Sequence, residues 1–548
     1  MKSDRARRAA FIYHPPRSPL PESIFAALLA GRAEAQRLLP GRFQDPEAWR
    51  AAADVASARR VAPGLLDELD RQSAALPPSP SRERSLERLA QPGTTVVVTG
   101  QQIGLFGGPL YTLHKAATAI ARARQVEAWT GRPCVPLFWL QTEDHDYAEI
   151  AEVSVPTPAG RVTFALPPDP EPSRVSVAHR VVPPTVPGIL AELEATLALL
   201  PHSTEVVALL CEHYVPGCSL ATAFAGLLSA LWKDEGLLVL DPRVAAVARL
   251  AAPLLRRTLG EHAAISGDLA ARAAAIVAVG CDEQVRTRED ASLVFFHPEG
   301  IDGPRYRLVR RGGGWETPAG SISDLELGGL LEREPLRFST SALLRPLVQD
   351  SILPTCAVVG GPAEVSYFAQ LAPVYARLGV PMPLIAPRAR LRVLDASTRS
   401  LLHKLGLDAA DVKGPRALLL ARVATRPEGS PTAADLRQRL LGPLESELAA
   451  LAALGLDNLD GPIRKALQSC SHTLGKLADR AERAASEQDQ VAASRLDRVI
   501  ATLCPGDIPQ ERAYGFAALA SHVGTGTLLR AILEGAASLD PAVRDVSV

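Results

Sequence analysis

The sequence is short of net charge, of cysteine and of paired cysteine motifs, and each shortage excludes a class of protein. Its 548 residues carry 59 Lys and Arg against 60 Asp and Glu, for a formal net charge of −1. This balance argues against bulk electrostatic capture of nucleic acid, so we expect no nucleic-acid partner. The seven cysteines form no CxxC pair, which disfavours a structural zinc site and favours reduced thiols in a cytoplasmic protein.

The sequence also lacks an apolar run suited to a membrane. The first residues, MKSDRARRAA, are basic but lead into FIYHPP instead of an apolar signal region, so no export signal is evident. The uncharged residues 214–232 include Pro216 and many small side chains, and a charged turn follows at Lys233. They predict a helix buried in an α/β layer. We therefore expect a cytoplasmic protein with no membrane partner.

One stretch is rich in glycine. Residues 94–98 are β-branched and apolar, and TGQQIGLFGGPLYTLHK follows at residues 99–115. This order predicts a strand, a flexible turn and a helix whose free N–H groups would favour a phosphate or carboxylate, although the spacing fits neither GxGxxG nor the P-loop. The two glutamine amides suit a sugar or adenine edge, or the backbone of the turn itself. The candidate binding residues here are Gly100, Gln101, Gln102, Gly104, Gly107 and Gly108.

A second stretch ends in a cluster of titratable residues. PLFWLQTEDHDYAEI, at residues 136–150, begins as a buried strand and continues into Glu143, Asp144, His145 and Asp146. If this strand is parallel to the first, the cluster lies at the carboxyl edge of the sheet, where ligands bind in open α/β folds. The alternative is a solvated acidic loop in which His145 caps a helix.

Further strands separated by helices predict the fold class. Residues 236–243 and 355–360 each indicate another buried strand, so we expect an α/β protein with a Rossmann-like, doubly wound parallel sheet. Segments near residues 153–182 and 283–320 break the alternation and are interpreted as insertions. The predicted domains are a core at residues 1–387 and a C-terminal helical coiled-coil domain at residues 388–548.

An apolar seam in the C-terminal region indicates a coiled coil. Apolar residues recur there at alternating intervals of four and three, the heptad pattern. The seam consists of Ile463, Leu467, Cys470, Leu474, Leu477, Ala481 and Ala484. It fits a dimerisation helix or, alternatively, antiparallel packing within one chain.

Together these blocks resemble the BshC family, the bacillithiol cysteine-adding ligases. Later blocks that share the resemblance are FSTSALLRPLVQDSILPTCAVVGGPAEVSYFAQL at residues 338–371, MPLIAPR at 382–388 and CPGDIPQER at 504–512. The resemblance implies a Rossmann-like core with connecting-peptide insertions, a C-terminal coiled coil and a homodimer. It also implies a ligase that joins L-cysteine to glucosaminyl malate by amide formation, the last step of bacillithiol biosynthesis.

Such a reaction requires an activated carboxylate. A carboxylate is a poor electrophile, so we expect an acyl-adenylate or acyl-phosphate, formed with ATP or another nucleotide triphosphate and Mg²⁺. His114 and Lys115 resemble in placement the HIGH-type helix of class I nucleotidyltransferases and would neutralise charge on the leaving group, although no KMSKS-like loop accompanies them. We expect Asp144 or Asp146 to bind or deprotonate the amine, with His145 orienting it.

The later blocks add binding candidates, each with a structural alternative. Arg345 either holds the malate carboxylates or forms a buried salt bridge with Asp350 or a neighbouring residue. Asp241 suits a ribose or a plain turn, and Glu364 suits an amine or a helix start. A second Gly-Gly-Pro, at residues 360–362, suggests that two helix starts line one site. Beyond the glycine turn, the candidates are Tyr111, Lys115, Glu143, Asp241, Arg345, Gln349, Gly360, Gly361, Glu364 and Arg388.

Two other functions compete with the ligase. In the first, the EDHD run binds a divalent ion in a metal-dependent hydrolase that consumes no nucleotide. In the second, the protein is a non-catalytic nucleotide-binding scaffold that recruits partners through its coiled coil. Metal content, nucleotide binding and the effect of replacing His114 or Asp146 separate the three.

Overall fold

The structure is a computed structural model that describes residues 22–157, 160–169, 174–424, 432–454, 459–486 and 489–548. The expectation of no export signal falls on the first residues, outside this range. The helices are α1 Ile24–Leu29, α2 Ala33–Gln36, α3 Pro46–Ser57, α4 Leu65–Ala74, α5 Pro80–Leu89, α6 Tyr111–Thr130, α7 Tyr147–Ile150, α8 Val186–Leu197, α9 Ser203–His213, α10 Leu220–Leu231, α11 Ala245–Gly260, α12 His262–Ala278, α13 Asp324–Arg333, α14 Arg345–Ile352, α15 Pro362–Arg377, α16 Ala396–Leu405, α17 Arg416–Val423, α18 Ala433–Ala453, α19 Asp460–Ser486, α20 Gln490–Leu503, α21 Gln510–Ala513, α22 Ala517–Val523 and α23 Thr525–Ala536. The strands are β1 Thr95–Gln101, β2 Cys134–Leu140, β3 Glu152–Thr157, β4 Gly160–Ala165, β5 Leu238–Leu240, β6 Ala291–Phe296, β7 Tyr306–Arg311, β8 Gly314–Thr317, β9 Gly320–Ser323, β10 Phe338–Thr340, β11 Thr355–Gly360, β12 Leu384–Pro387, β13 Arg390–Leu394 and β14 Val543–Ser547.

A parallel sheet of order β12-β11-β1-β2-β5 forms the core. Every residue of β1, β2 and β11 is buried, because helices cover both faces of the sheet. The strand order reverses at β1, with β2 on one side and β11 on the other. The Rossmann-like parallel sheet is therefore confirmed, and the ends of β1 and β11 form the switch point where such sheets bind ligands.

The segments interpreted as insertions contain antiparallel strands. β3 and β4 form a hairpin, while β6 to β10 form a second sheet of order β10-β6-β7-β8-β9. Residues 158–159 and 170–173 of the first insertion lie outside the described residues. Because β10 runs directly into the segment before α14, the second sheet is anchored beside the carboxyl edge of the parallel sheet.

The C-terminal region leaves the core and returns to it. α18 and α19 pack side by side, and the ion pair between Arg437, near the start of α18, and Asp479, near the end of α19, shows that they run antiparallel. α23 then packs on α6, and β14 pairs in parallel with β13. The region predicted as helical, residues 388–548, also contains two short strands, β13 and β14, which pair with each other. The domain boundary itself stays a prediction.

The uncharged residues 214–232 contain a buried helix, α10, whose Phe224 and Leu227 are fully enclosed. Among the described residues, no helix is long and apolar enough to span a membrane. All seven cysteines fall within the described residues and are free, and Cys356 is a buried core residue of β11.

Candidate active site

A cavity of about 500 Å³ opens at the switch point, a volume typical of small-molecule sites. The predicted residues that line it are Gln101, Gln102, Tyr111, Lys115, Glu143, Asp144, Arg345, Gly361, Glu364 and Arg388. Separate sequence blocks thus converge on one cleft. The starts of α6 and α15, the two helices that follow a Gly-Gly-Pro, both face it.

Lys115 and Glu364 join these two helix starts. The Lys115 Nζ donates to the Gly100 carbonyl at 2.7 Å and to Gln101 Oε1 at 2.8 Å, and it forms an ion pair with Glu364. Burial lowers the pKa of Lys115. Burial on its own would raise the pKa of Glu364, but the Lys115 charge outweighs burial, and the pKa is lowered. Glu364 also accepts a hydrogen bond from the Gly361 N–H at 2.8 Å. The pair therefore fixes α6 relative to α15.

Arg388 follows β12 and is held by Glu511 of α21. Its terminal nitrogens donate to both carboxylate oxygens, at 2.6 and 2.7 Å, and its guanidinium carbon lies 5.3 Å from the centre of the Tyr111 ring. His114 Nδ1 lies 3.2 Å from the same carboxylate, and burial lowers the pKa of this fully buried imidazole. The expectation that His114 contacts a leaving group was therefore wrong, because α6 directs the His114 side chain toward α21 and away from the cavity.

Glu143 and Asp144, the first half of the EDHD run, reach the cavity from the end of β2. Glu143 Oε2 accepts hydrogen bonds from the N–H and the hydroxyl of Thr340, at 3.2 and 2.5 Å. Asp144 accepts from Gln102 Nε2 at 3.2 Å and from Arg305 Nη2 at 3.4 Å. Both carboxylates are thereby oriented, as a group that receives a substrate proton must be.

His145 and Asp146, the second half, border a neighbouring surface pocket instead. His145 Nδ1 accepts from Arg305 Nε at 3.0 Å, and burial and that guanidinium lower the pKa of the imidazole, which is neutral at pH 7. Asp146 accepts from the Glu149 N–H at 3.2 Å and caps α7. The expected action of His145 and Asp146 on the amine was therefore wrong, because Asp146 caps α7 and neither side chain lines the cavity.

Arg305, which precedes β7, was missed by the sequence analysis and organises this wall. It is 5 % exposed, donates to both Asp144 and His145, and lies 4.5 Å from the centre of the Phe295 ring. Arg307 lies 5.2 Å from the same ring and also lines the cavity. The alternation in RYRLVR could have placed both arginines on one strand face, but nothing local indicates that this face covers the cavity.

Glu149 was missed as well. It lines the cavity from α7, and its Oε2 accepts from Gln102 Nε2 at 2.6 Å. Partial burial, with repulsion from Asp144 and Asp146, raises the pKa of Glu149. Its position three residues after Asp146, on the same helical turn, was the available signal.

The N–H groups of the glycine turn form hydrogen bonds within the fold and are not available to bind a ligand. The Gly107 N–H donates to Tyr214 Oη at 3.1 Å, and the Gly108 N–H donates to the Leu105 carbonyl at 2.9 Å. Gly107 and Gly108 have φ values of +89° and +68°, and a Cβ on Gly104 would lie 2.6 Å from Gly108 Cα. The prediction that this turn binds an anion was therefore wrong. The N–H groups of Gly107 and Gly108 already have hydrogen-bond partners, and Gly104, Gly107 and Gly108 do not line the cavity.

The remaining predicted residues, which do not line the cavity, are Gly100, Gly360, Asp241 and Gln349. Asp241 accepts from Thr142 Oγ1 at 2.5 Å, and burial raises its pKa. Gln349 accepts from Arg345 at 3.2 Å and donates to Asp350 at 2.9 Å. The alternative salt bridge between Arg345 and Asp350 is therefore replaced by a link through Gln349.

Three cavity arginines have no carboxylate within ion-pair distance in the part of the chain that the structure describes: Arg307, Arg345 and Arg512. Arg345 donates instead to the neutral Tyr367 hydroxyl at 3.1 Å, and the exposed Arg512 lies 5.7 Å from the Tyr111 ring centre. Guanidinium groups bind carboxylates and phosphates through paired hydrogen bonds. The cavity therefore suits a ligand with more than one anionic group.

The fold and this cavity define a Rossmann-like protein with a small-molecule site at its switch point. The family model described as "Bacillithiol biosynthesis BshC, N-terminal Rossmann-like domain" matches residues 15–389. The chain belongs to this family.

Relatives match most of the chain. It is 34% identical to a protein of Solibacter usitatus, over 85% of this chain and 86% of that protein. It is 31% identical to one of Koribacter versatilis, over 91% and 93%, and 35% identical to one of Salinibacter ruber, over 68% of each. Each relative carries the name "Putative cysteine ligase BshC".

Proposed function

We propose that this protein is a ligase that joins the carboxylate of L-cysteine to the amine of glucosaminyl malate, in the last step of bacillithiol biosynthesis. The observation that carries the proposal is one cavity, in a chain of the BshC family, that combines an oriented carboxylate with arginines that have no carboxylate at ion-pair distance among the described residues. The names of the relatives support cysteine as a substrate.

Asp144 is the base in this proposal. The amine nitrogen forms a bond to the activated carbonyl carbon, the bond from that carbon to the leaving group breaks, and the surplus ammonium proton passes to Asp144. Asp144 suits this role because it lines the cavity and is oriented by Gln102 and Arg305. His145 acts as a positioning residue through Arg305.

Arg345 suits the malate carboxylates. Arg345 is 9 % exposed and lines the cavity, and its hydrogen-bond partners among the described residues, Gln349 and Tyr367, are neutral, so its guanidinium can form an ion pair with a substrate carboxylate. The buried site makes such a charged hydrogen bond stronger than it would be in water.

ATP or another nucleotide triphosphate with Mg²⁺ supplies the activation of the cysteine carboxylate. The residues present fit these groups: Arg307 offers positive charge for phosphates, and Glu143 offers a hard oxygen ligand suited to Mg²⁺. The ligase is favoured over the metal-dependent hydrolase because the EDHD side chains diverge.

The α18–α19 hairpin is the coiled-coil arm of a homodimer in this proposal. The hairpin leaves Leu440 41 %, Leu454 66 % and Leu477 55 % exposed, and a second copy would cover such apolar surface. Sedimentation equilibrium should give the mass of two chains. A monomer at micromolar concentration would contradict the dimer.

The test of the ligase is amide formation followed by mass spectrometry, with purified protein, cysteine, glucosaminyl malate, ATP and Mg²⁺. Wild type should form the product, and Asp144→Asn should be slower by about 10²-fold or more. The matched control Asp234→Asn, an exposed turn residue outside the cavity, should retain activity. Absence of product from folded wild type would contradict the proposal.

A further inference from the structure

The end of the block CPGDIPQER forms one wall of the cavity through Arg512, which has been given no individual role above. Gln510 ties this segment to β13, since its side chain accepts from the Val393 N–H at 2.8 Å and donates to the Val393 carbonyl at 3.1 Å. Gln510 is 1 % exposed. The segment is therefore fixed to the core by a buried amide.

The next residue, Glu511, fixes the segment a second time. Glu511 is 7 % exposed, and its carboxylate accepts two hydrogen bonds from Arg388. Two parallel hydrogen bonds define an orientation as well as a distance. The backbone that carries residue 512 is thus held rigidly at the cavity.

Arg512 itself is directed differently from its two neighbours. Whereas they are buried, Arg512 is exposed, lines the cavity and lies 5.7 Å from the centre of the Tyr111 ring. Among the described residues it has no carboxylate at ion-pair distance. A guanidinium that lies against an aromatic ring keeps its in-plane N–H groups available to a ligand.

We propose that Arg512 is a ligand-binding residue whose guanidinium binds a carboxylate or phosphate group of the molecule held next to Tyr111. The inference rests on the proposed ligase for the source of that group, which is either the malate part of the acceptor or the phosphates of the nucleotide. Gln510 and Glu511 hold Arg512 in place. The C-terminal segment thereby completes a site that the Rossmann-like core begins.

Kinetics of Arg512→Gln test the proposal and distinguish the two sources. The variant should raise the KM for glucosaminyl malate at least tenfold if the group is a carboxylate, or the KM for ATP by as much if it is a phosphate. The KM for cysteine should change less than twofold. Arg512→Lys should recover only part of the loss, because an ammonium cannot form the paired hydrogen bonds.

Arg530→Gln is the matched control, since Arg530 is an exposed arginine of α23 outside the cavity. Isothermal titration with malate and with ATP, without turnover, separates this inference from the ligase proposal. Arg512→Gln should weaken the binding of one probe at least tenfold, even if no amide is formed. Equal affinities of wild type and Arg512→Gln for both probes, or a wild type that binds neither, would overturn the inference.

Discussion

Replacing Glu511 with Gln tests the buried ion pair that joins the C-terminal segment to the core. The carboxylate accepts two hydrogen bonds from Arg388 and lies 3.2 Å from His114 Nδ1. Arg388 is 2 % exposed, so water cannot reach its guanidinium to solvate it once the Glu511 charge is removed. The neutral amide would keep the approximate shape of the side chain but leave a buried guanidinium without a counter-charge.

The expected cost follows from that burial. Removing one partner of a buried ion pair destabilises a protein by about 3–5 kcal/mol, whereas an exposed pair contributes about 0–1 kcal/mol. The unfolding equilibrium should therefore shift by roughly two to three and a half orders of magnitude. Burial on its own would raise the pKa of Glu511, but the Arg388 charge outweighs burial and lowers the pKa. The stability that the ionised carboxylate contributes is present above the ordinary carboxylate pKa and is lost as the pH falls through the lowered folded-state value.

Urea denaturation at pH 7 measures the change in the free energy of unfolding. Asp54→Asn, which breaks an exposed ion pair with Arg132, is the matched control and should cost less than about 1 kcal/mol. The double variant Glu511→Gln/Arg388→Met should lose less than the sum of the two single variants, because no buried charge is left alone. A loss below about 1 kcal/mol for Glu511→Gln, or strict additivity in the double variant, would refute the reasoning.

Three other predictions concern separate parts of the molecule. Burial raises the pKa of Asp350 from 3.8 to about 6, so wild type should lose about 2 kcal/mol relative to Asp350→Asn as the pH rises from about 4 to 6; urea denaturation at both ends would show it, and a constant difference would contradict it. Arg305→Lys should slow amide formation by about tenfold or more, because an ammonium cannot orient Asp144 and His145 together; unchanged turnover would exclude that role. Gly104→Ala should destabilise the protein by about 1–3 kcal/mol in thermal denaturation, since its Cβ would lie 2.6 Å from a backbone carbon of the turn, and an unchanged melting temperature would contradict the packing described here.

The strands of the central sheet were predictable because burial on both faces leaves uniform apolar runs. β1 and β2 are examples, and their polar ends correctly indicated the edge that carries Asp144. β13 and β14 were not predictable in this way. They are short, contain charged residues and pair across about 150 residues of sequence, a contact that local patterns do not encode.

The part of the candidate site that strand ends carry was predictable from buried apolar runs. Gln101, Glu143 and Gly361 were found on that basis, and all line the cavity. His114 was misplaced because helical periodicity alone does not say which face of α6 meets the ligand. Arg305 was missed because it reaches the cavity from an inserted sheet, whose placement depends on tertiary packing.

The ion pair between Arg388 and Glu511 spans 123 positions of the sequence, with the long helical excursion between its partners. During synthesis, the Rossmann-like core can leave the ribosome well before residue 511 does. Until then Arg388 lacks its counter-charge and the wall next to Tyr111 is missing, so the nascent core has an open, incomplete cleft. The segment that carries Glu511 therefore has to be synthesised before this wall of the cavity can form.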